Sequence, residues 1–171
     1  HSDPVAFRNF RVKRLPEAEA LKQGVFFGYK KMDFKLGDRD AAVVFPSKPL
    51  PGNPWYWRTE FFGHEPQVDL ELLRRGFHVG YINVQNLYGA PAAMAPMNEF
   101  YDYVRSVFRL SSKVTLAGFS RGGLFAFNWA VANPGKVAAI YADNAVCDFK
   151  SWPAGKGSGV GGKKDWERLL G

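Results

Sequence analysis

Apolar and polar residues alternate near the start of the chain in the manner of half-buried β-strands. Residues 5–15 place apolar side chains at positions 5, 7, 10, 12 and 15 with mostly basic or polar residues between them, and a proline follows. Residues 29–36 are also half apolar, residues 37–40 (Gly-Asp-Arg-Asp) have the composition of a turn, and residues 41–45 are continuously apolar. The pattern predicts a strand at 5–15, a short helical or linker piece at 17–22, and a hairpin of strands at 29–36 and 41–45.

Helical spacing occurs further along the chain and alternates with short apolar runs. Apolar residues recur there at three- and four-residue spacing, which is typical of helices that pack one face against a core. Strands that alternate with such helices indicate a parallel sheet with helices on both faces, so the predicted fold class is α/β. The helices are predicted at 67–75, 97–109 and 121–132, and the strands at 77–84, 113–117 and 136–142.

The segment between the hairpin and the first of these helices has the composition of a loop. Residues 46–63 hold four prolines and a cluster of aromatic residues that includes Trp55, Tyr56 and Trp57. Loops of this length are uncommon in compact domains and are usually functional. We therefore predict that Trp55 and Trp57 form one wall of a substrate pocket, with core packing of the same rings as the alternative.

The composition is that of a globular domain. The chain has 171 residues, 46% of them hydrophobic, which is enough for one substantial core. Its apolar runs are far shorter than the roughly 20 residues of a membrane-spanning helix, so no membrane partner is expected. The net charge of +7 comes from basic residues spread along the chain without a nucleic-acid-binding signature, so no nucleic-acid partner is expected. The single cysteine, Cys147, excludes an internal disulfide and a multi-cysteine metal site, and no metal or cofactor is predicted.

The strongest chemical signal is the hexapeptide Gly-Phe-Ser-Arg-Gly-Gly at residues 118–123. It contains the pattern Gly-x-Ser-x-Gly with Ser120 at its centre, and it lies where a predicted buried strand meets a predicted helix. In that context a sharp turn exposes the serine hydroxyl at a helix N-terminus, where free N–H groups and the helix dipole favour negative charge. We therefore predict Ser120 as a catalytic nucleophile; the alternative is an N-cap serine whose neighbouring glycines serve only packing.

With this motif and this order of elements, residues 24–171 resemble the α/β-hydrolase family. The resemblance implies an α/β-hydrolase-type, mostly parallel sheet with helices on both faces, incomplete at its C-terminus. It implies a serine hydrolase, in the first place a carboxylic-ester hydrolase, whose oxyanion is bound by the backbone N–H of the residue after the nucleophile, Arg121. The family's second oxyanion donor follows the third strand. Taking that strand as 41–45 places the donor near Lys48, where the usual His-Gly signature is missing.

The catalytic histidine is not where the family order of serine, acid and histidine would place it. A histidine at position 64 could act as the base only out of order, and the one at position 78 is predicted to be a core residue. We therefore expect the histidine and the final acid beyond residue 171, and a fragment that is itself impaired in catalysis. Asp143, at the end of the strand predicted at 136–142, is a candidate acid, and Asp148, five residues on, is another. The histidines that precede the motif are His1, His64 and His78.

A glycine-rich segment near the C-terminus imitates nucleotide-binding motifs without their context. Residues 155–164 match G-x-G-x-x-G and most of G-x-x-x-x-G-K. No strand precedes them, Lys164 stands where a magnesium-binding Ser or Thr is needed, and no acid follows at about 20 residues. A flexible loop that leads to a helix at 165–170 is predicted instead.

Residues 1–23 are predicted to be the end of a preceding β domain and its linker, and residues 24–171 the N-terminal two thirds of a hydrolase domain. The opening HSDPVAFRNFRVKRL is similar to the last strand of concanavalin-like jelly-roll domains that occur beside carbohydrate-active enzymes. This similarity implies a secreted or periplasmic parent protein whose substrate is a carbohydrate ester; otherwise a small-molecule ester is expected. The first residues contain neither an initiator Met nor a signal peptide, so the chain is expected to be cut from a longer protein.

Two other functions fit the same sequence. A non-catalytic binding module would keep the turn around Ser120 without a complete triad. A serine peptidase also fits, because prolyl-oligopeptidase-like enzymes share the fold and the motif. The residue pattern alone does not separate these alternatives from an esterase.

Overall fold

The central feature of the structure is one mixed β-sheet. The computed structural model describes residues 21–170, and the strand predicted at 5–15, with its jelly-roll similarity, lies outside them. Within the described residues the strands are β1 (Lys22–Phe26), β2 (Tyr29–Leu36), β3 (Arg39–Val44), β4 (Trp55–Arg58), β5 (His78–Ile82), β6 (Val114–Phe119) and β7 (Val137–Asp143). The helices are α1 (Gln67–Arg74), α2 (Pro91–Val107), α3 (Gly122–Ala132) and α4 (Lys163–Leu170), with a 3₁₀ turn at Pro134–Lys136.

The sheet changes from antiparallel to parallel across its width. The strand order is β1-β2-β3-β5-β4-β6-β7. The pairs from β1 to β5 are antiparallel, and those from β5 through β4 and β6 to β7 are parallel. Consequently β2, β4, β5, β6 and β7 point the same way. Because the crossover inserts β4 beside β6, the carboxyl ends of these two strands lie next to each other at one edge of the sheet.

Helices cover both faces of the sheet, α2 and α3 on one face and α1 on the other. On the first face the Trp57 ring packs against Phe100 and Trp129, with both pairs of ring centroids 5.1 Å apart. On the second face Tyr56 packs in one cluster with Leu73 of α1. Successive residues of β4 therefore face different layers, as a pleated strand requires. In the described part of the chain, no helix has the length and apolarity of a bilayer span.

The α/β fold predicted from the sequence is confirmed, with a mixed sheet of three antiparallel and three parallel strand pairs within residues 21–170. The segment predicted as one long loop contains β4. All four residues of β4 are buried, so the strand has no alternation of polar and apolar positions and prolines surround it. A strand between two helical layers is apolar on both faces and cannot be recognised by alternation. This burial corrects the prediction for Trp55 and Trp57, which are 1% and 0% exposed and belong to the core rather than to a pocket wall.

Two other bounds differ from the prediction. Residues 22–26, predicted in part as a linker, form β1 and pair with β2, so the sheet starts before residue 24. Helix α2 begins at Pro91 instead of residue 97. Proline is well tolerated at the first helical position, and the carbonyl that Pro96 leaves without a donor belongs to the exposed residue Ala92.

Candidate active site

Ser120 lies on the sharp turn between β6 and α3. Its φ angle is +50°, in the left-handed region that a non-glycine residue rarely adopts. Two neighbouring segments hold the turn: the Ser120 N–H donates to the carbonyl of Asp143 at 3.0 Å, and the Val146 N–H donates to the Ser120 carbonyl at 2.8 Å. The strained turn is therefore fixed from the end of β7 and from the loop that follows it.

Close packing around the turn depends on a glycine in the first turn of α3. A Cβ built on Gly123 would lie 2.4 Å from the Val146 carbonyl oxygen and 2.9 Å from the Ala145 Cβ. Real Cβ atoms do not approach other atoms this closely, so a side chain at position 123 would displace the loop that fixes Ser120. The glycine-rich pattern after the serine is thus a requirement of the backbone contact.

Arg121 follows Ser120 and lies at the N-cap of α3. Among the backbone hydrogen bonds of residues 21–170, none uses its N–H, as expected for a group at a helix N-terminus. Its guanidinium contacts two carboxylates. Nε lies 3.3 Å from the Glu60 carboxylate, and Nη1 lies 3.5 Å from the Asp165 carboxylate. The guanidinium also lies over the Phe61 ring, 5.1 Å from its centroid.

The loop after β4, residues 59–64, is attached directly to this turn. The Thr59 hydroxyl lies 2.6 Å from the Ala117 carbonyl and 2.9 Å from the Gly122 carbonyl, so it can donate to either. The Arg58 guanidinium donates to the carbonyls of Glu60 (3.3 Å) and His64 and forms an ion pair with Asp69 of α1 at 3.4 Å. The loop is therefore held by α1 on one side and by β6 and α3 on the other.

Two carboxylates inside this network are almost completely buried. Glu60 is 1% and Asp69 0% exposed. Burial raises the pKa of Glu60, and the nearby Arg121 only partly opposes the rise. Burial also raises the pKa of Asp69, to about 6, against the opposing charge of Arg58. In each ion pair, therefore, the attraction to the arginine does not fully offset the desolvation of the carboxylate.

Ser120 borders two cavities on the carboxyl side of the sheet. One, of about 480 Å³, is lined by Phe61, His64, Phe119, Ser120 and Asn144. The other, of about 660 Å³, is lined by Ser120, by residues 144–148, by Ser151 and Trp152, and by residues 158–160. Ser120 and Asn144 line both cavities, so the serine lies at the boundary between two spaces of small-molecule size.

The structure does not bring Lys48 to this site. Lys48 follows β3, which runs antiparallel to β5, so the loop after β3 lies at the opposite edge of the sheet from Ser120. A Cβ on Gly76, just before β5, would lie 2.8 Å from the Lys48 carbonyl, and the Leu50 N–H donates to the Gly76 carbonyl. The strand that precedes the loop beside Ser120 is β4, and β4 was hidden within the predicted loop.

The other predicted residues are near Ser120 to different degrees. Asp143 contacts it through its backbone, while its exposed carboxylate accepts a hydrogen bond from the Tyr141 hydroxyl at 3.2 Å. His64 is exposed and borders the smaller cavity. His78 is 3% exposed, its Nδ1 lies 3.4 Å from the Pro54 carbonyl, and burial lowers its pKa. The buried environment of His78 agrees with the core role predicted for it.

Sequence reasoning did not single out Glu60 or Asp69. Glu60 lies in an aromatic-rich stretch predicted as a loop and Asp69 on an amphipathic helix, and a carboxylate in either place looks solvent-exposed when the sequence is read alone. Their ion-pair partners, Arg121 for Glu60 and Arg58 for Asp69, are distant from them along the chain, so no local signal in the sequence identifies either carboxylate. In the described part of the chain, no group of three or more His, Cys, Asp or Glu side chains could hold a metal ion.

Comparison with known proteins gives a fold but no close relative. No protein-family model and no curated protein matches the sequence. Among solved structures, Candida antarctica lipase A aligns with 76% of this chain at 12% identity and a TM-score of 0.58. Acetyl xylan esterase 1 from a Thermoanaerobacterium species aligns with 73% at 14% identity and a TM-score of 0.50. The chain covers 42% and 51% of those two chains, respectively, and at these identities the likeness is one of fold.

Proposed function

We propose that this chain, which has the α/β-hydrolase fold, provides the nucleophile and oxyanion-binding part of a serine hydrolase that cleaves carboxylic esters. The observation that supports this most is the conformation of Ser120. It has a φ of +50° between β6 and α3 and borders two cavities. Left-handed backbone angles at a serine destabilise the folded state. On a strand-to-helix turn they are typical of a nucleophile that is held in place for reaction.

The proposed reaction passes through an acyl-enzyme. The Ser120 Oγ attacks the ester carbonyl carbon while a general base takes the hydroxyl proton, and the carbonyl oxygen becomes an oxyanion. The carbonyl re-forms, the carbon–oxygen bond to the alcohol breaks, and the base returns the proton to the leaving alcohol. Water then repeats the sequence on the acyl-serine and releases the carboxylic acid.

We propose that the backbone N–H of Arg121 binds the oxyanion, as the sequence predicts. Its support is the unused N–H at the start of α3, where the helix dipole also favours negative charge. For the second donor we replace Lys48 with the backbone of the loop 59–64. This loop follows the strand next to β6 and is bonded to the turn through Thr59.

Two histidines are candidates for the general base. The expectation that the base lies beyond residue 171 stays a prediction, as does the role of Asp143 as the acid. His64 is the alternative within the described residues, because it borders the same cavity as Ser120. These two assignments of the base predict different esterase activities for a His64→Gln variant.

We propose a carbohydrate ester as the substrate, with a simpler small-molecule ester as the alternative. One protein of the same fold is an acetyl xylan esterase. The larger cavity at Ser120 has both apolar and hydrogen-bonding walls and suits a polar alcohol better than a lipid.

The test is the hydrolysis of p-nitrophenyl acetate by the full-length protein. Ser120→Ala should lower kcat/KM by about 10³-fold or more, as loss of a nucleophile does in serine hydrolases. The exposed Ser112→Ala, on the loop before β6, is the matched control and should retain wild-type turnover. Turnover equal in wild type and Ser120→Ala would exclude Ser120 as the nucleophile, and wild-type turnover no faster than the uncatalysed reaction would favour a non-catalytic binding module. A loss in His64→Gln as large as in Ser120→Ala would assign the base to His64, and unchanged turnover would exclude it.

A further inference from the structure

The larger cavity at Ser120 has a wall built from the segment between β7 and α4. It has a volume of about 660 Å³, within the roughly 300–1,000 Å³ of small-molecule sites. On one side lie residues 144–148 with Ser151 and Trp152, and on the other lie residues 158–160 of the glycine-rich loop. The loop that resembled a nucleotide motif therefore borders the cavity of the predicted nucleophile.

This wall is held in place by its own backbone hydrogen bonds. The Trp152 N–H donates to the Asp148 carbonyl at 3.2 Å, and the Gly162 N–H donates to the Pro153 carbonyl at 3.0 Å. A Cβ on Gly161 would lie 2.5 Å from that same Pro153 carbonyl, so the two arms of the loop can approach this closely only because the residue is glycine. The glycines are explained by chain packing, and the cavity is formed before any ligand binds.

The side chains that line the cavity combine one large ring with hydrogen-bonding groups. The half-buried Trp152 is its aromatic residue. Among the lining residues within the described chain there is no Lys or Arg, so the cavity offers no counter-charge to a phosphate or carboxylate ligand. Besides Ser120, side chains that can hydrogen-bond a ligand here are those of Asn144, Asp148, Ser151 and Ser158. The hydroxyl and amide groups can donate hydrogen bonds to a neutral ligand and accept them from it, and the carboxylate can accept them.

We infer that this cavity binds a pyranose ring, the alcohol part of the ester, with the sugar stacked on Trp152. A pyranose has apolar C–H faces that pack on an indole ring and a rim of hydroxyl groups that need donors and acceptors. Asp148, Ser151 and Ser158 line the same cavity and can bind that rim, the Ser151 hydroxyl as an acceptor because it donates to the Asp148 carbonyl at 2.7 Å. The inference rests on the proposed function for its link to Ser120, but sugar binding itself does not require catalysis.

The two cavities then divide the ester between them. The smaller cavity presents the rings of Phe61 and Phe119 and the exposed His64, and it receives the acyl group. The larger cavity receives the sugar. Ser120 and Asn144 line both, so the scissile bond lies at the boundary where the nucleophile is.

The experiment is a titration of the ¹⁵N-labelled protein with methyl β-D-xylopyranoside and methyl β-D-glucopyranoside, up to about 50 mM because a single sugar ring binds with a Kd in the millimolar range. The indole N–H resonance of Trp152 should shift saturably with at least one of the two sugars. The matched control is Trp166 of α4, which is also half-buried but lines a different cavity. Glycerol, which has hydroxyls and no ring face, should leave Trp152 unchanged.

Two variants complete the test. Trp152→Ala should raise the Kd for the sugar at least tenfold, as measured from the other resonances that shift in the wild type. Trp166→Ala should bind the sugar as the wild type does. Trp152→Phe keeps an aromatic ring and should bind the sugar with intermediate affinity. This variant keeps the test valid if the alanine variant does not fold. Equal shifts of Trp152 and Trp166, no shift at the highest concentration, or wild-type binding by Trp152→Ala would overturn the inference. Ser120→Ala should still bind sugar, so loss of esterase activity and loss of sugar binding are told apart.

Discussion

The Glu60 and Arg121 side chains form an ion pair whose two members are in different surroundings. Glu60 is 1% exposed, and Arg121 is its one cationic partner among residues 21–170. The Arg121 side chain is 18% exposed and has a second carboxylate partner in Asp165. Loss of Arg121 therefore leaves a buried, unpaired charge, whereas loss of the Glu60 charge does not.

We predict unequal effects of removing the two charges. Arg121→Met should reduce the free energy of unfolding at pH 7 by about 3 kcal/mol, the lower end for an uncompensated buried charge. Glu60→Gln should change it by about 1 kcal/mol or less, because burial already raises the pKa of Glu60 and so favours a neutral group there. Urea unfolding of both variants measures this, with the exposed Glu65→Gln, directly after the loop 59–64, as control. Equal losses in the two variants would contradict the account.

At the scale of single residues, the sequence predicts the serine but not the buried carboxylates. Ser120 is recognisable because its strained turn needs neighbouring glycines, which leave a local pattern. Glu60 is recognisable only once β4 is known to pass beside β6, because its partner, Arg121, is far along the chain. Long-range ion pairs leave no spacing in the sequence, so reasoning from local patterns could not find this one.

Between elements, the Arg58 and Asp69 ion pair joins the end of β4 to α1. Asp69 is 0% exposed, and its Oδ2 has no hydrogen-bond partner among the described atoms. This incomplete pairing is consistent with a pKa near 6, well above the ordinary 3.8. A carboxyl whose pKa is raised on folding binds its proton more tightly in the folded state. Its contribution to stability is therefore greatest at low pH and falls as the pH rises from the ordinary pKa of 3.8 to the folded-state pKa of about 6.

We predict that the stability difference between wild type and Asp69→Asn depends on pH in this direction. Between pH 4 and pH 6 the wild type should lose up to about 3 kcal/mol relative to the variant, and above pH 7 the difference should be constant. Urea unfolding at several pH values measures it, and the exposed turn variant Asp38→Asn reports changes from the rest of the protein. A difference that stays flat from pH 4 to pH 7, or grows in favour of the wild type, would show that Asp69 is not the titrating group.

Most elements could be predicted well from local patterns, and one short strand could not. The hairpin β2–β3, helices α1 and α3, and the strands β5, β6 and β7 lie close to their predicted positions. Strand β4 was missed because it has only four residues, shows no alternation of polar and apolar positions and follows a run of prolines, so Trp55 and Trp57 were taken for pocket residues. The error at Lys48 followed from the same omission, since it moved the loop beside the nucleophile to the wrong strand.

For the whole molecule, the order of elements was enough to predict an α/β sheet, because alternating strands and helices allow few arrangements. The insertion of β4 between β5 and β6 could not be read from that order. It depends on which strands pair, and this pairing brings the loop 59–64 to Ser120. The fold was therefore predictable, but the arrangement of the site had to come from the structure.

The same pairing makes Ser120 the point where β6, β7, the loop after β4 and two cavities meet. The measurement that tests this account most directly is the reaction of the full-length protein with a fluorophosphonate, followed by peptide mass spectrometry. The account predicts one covalent adduct, on Ser120, that disappears in Ser120→Ala. No adduct, or an adduct on another residue such as Ser151, would contradict it.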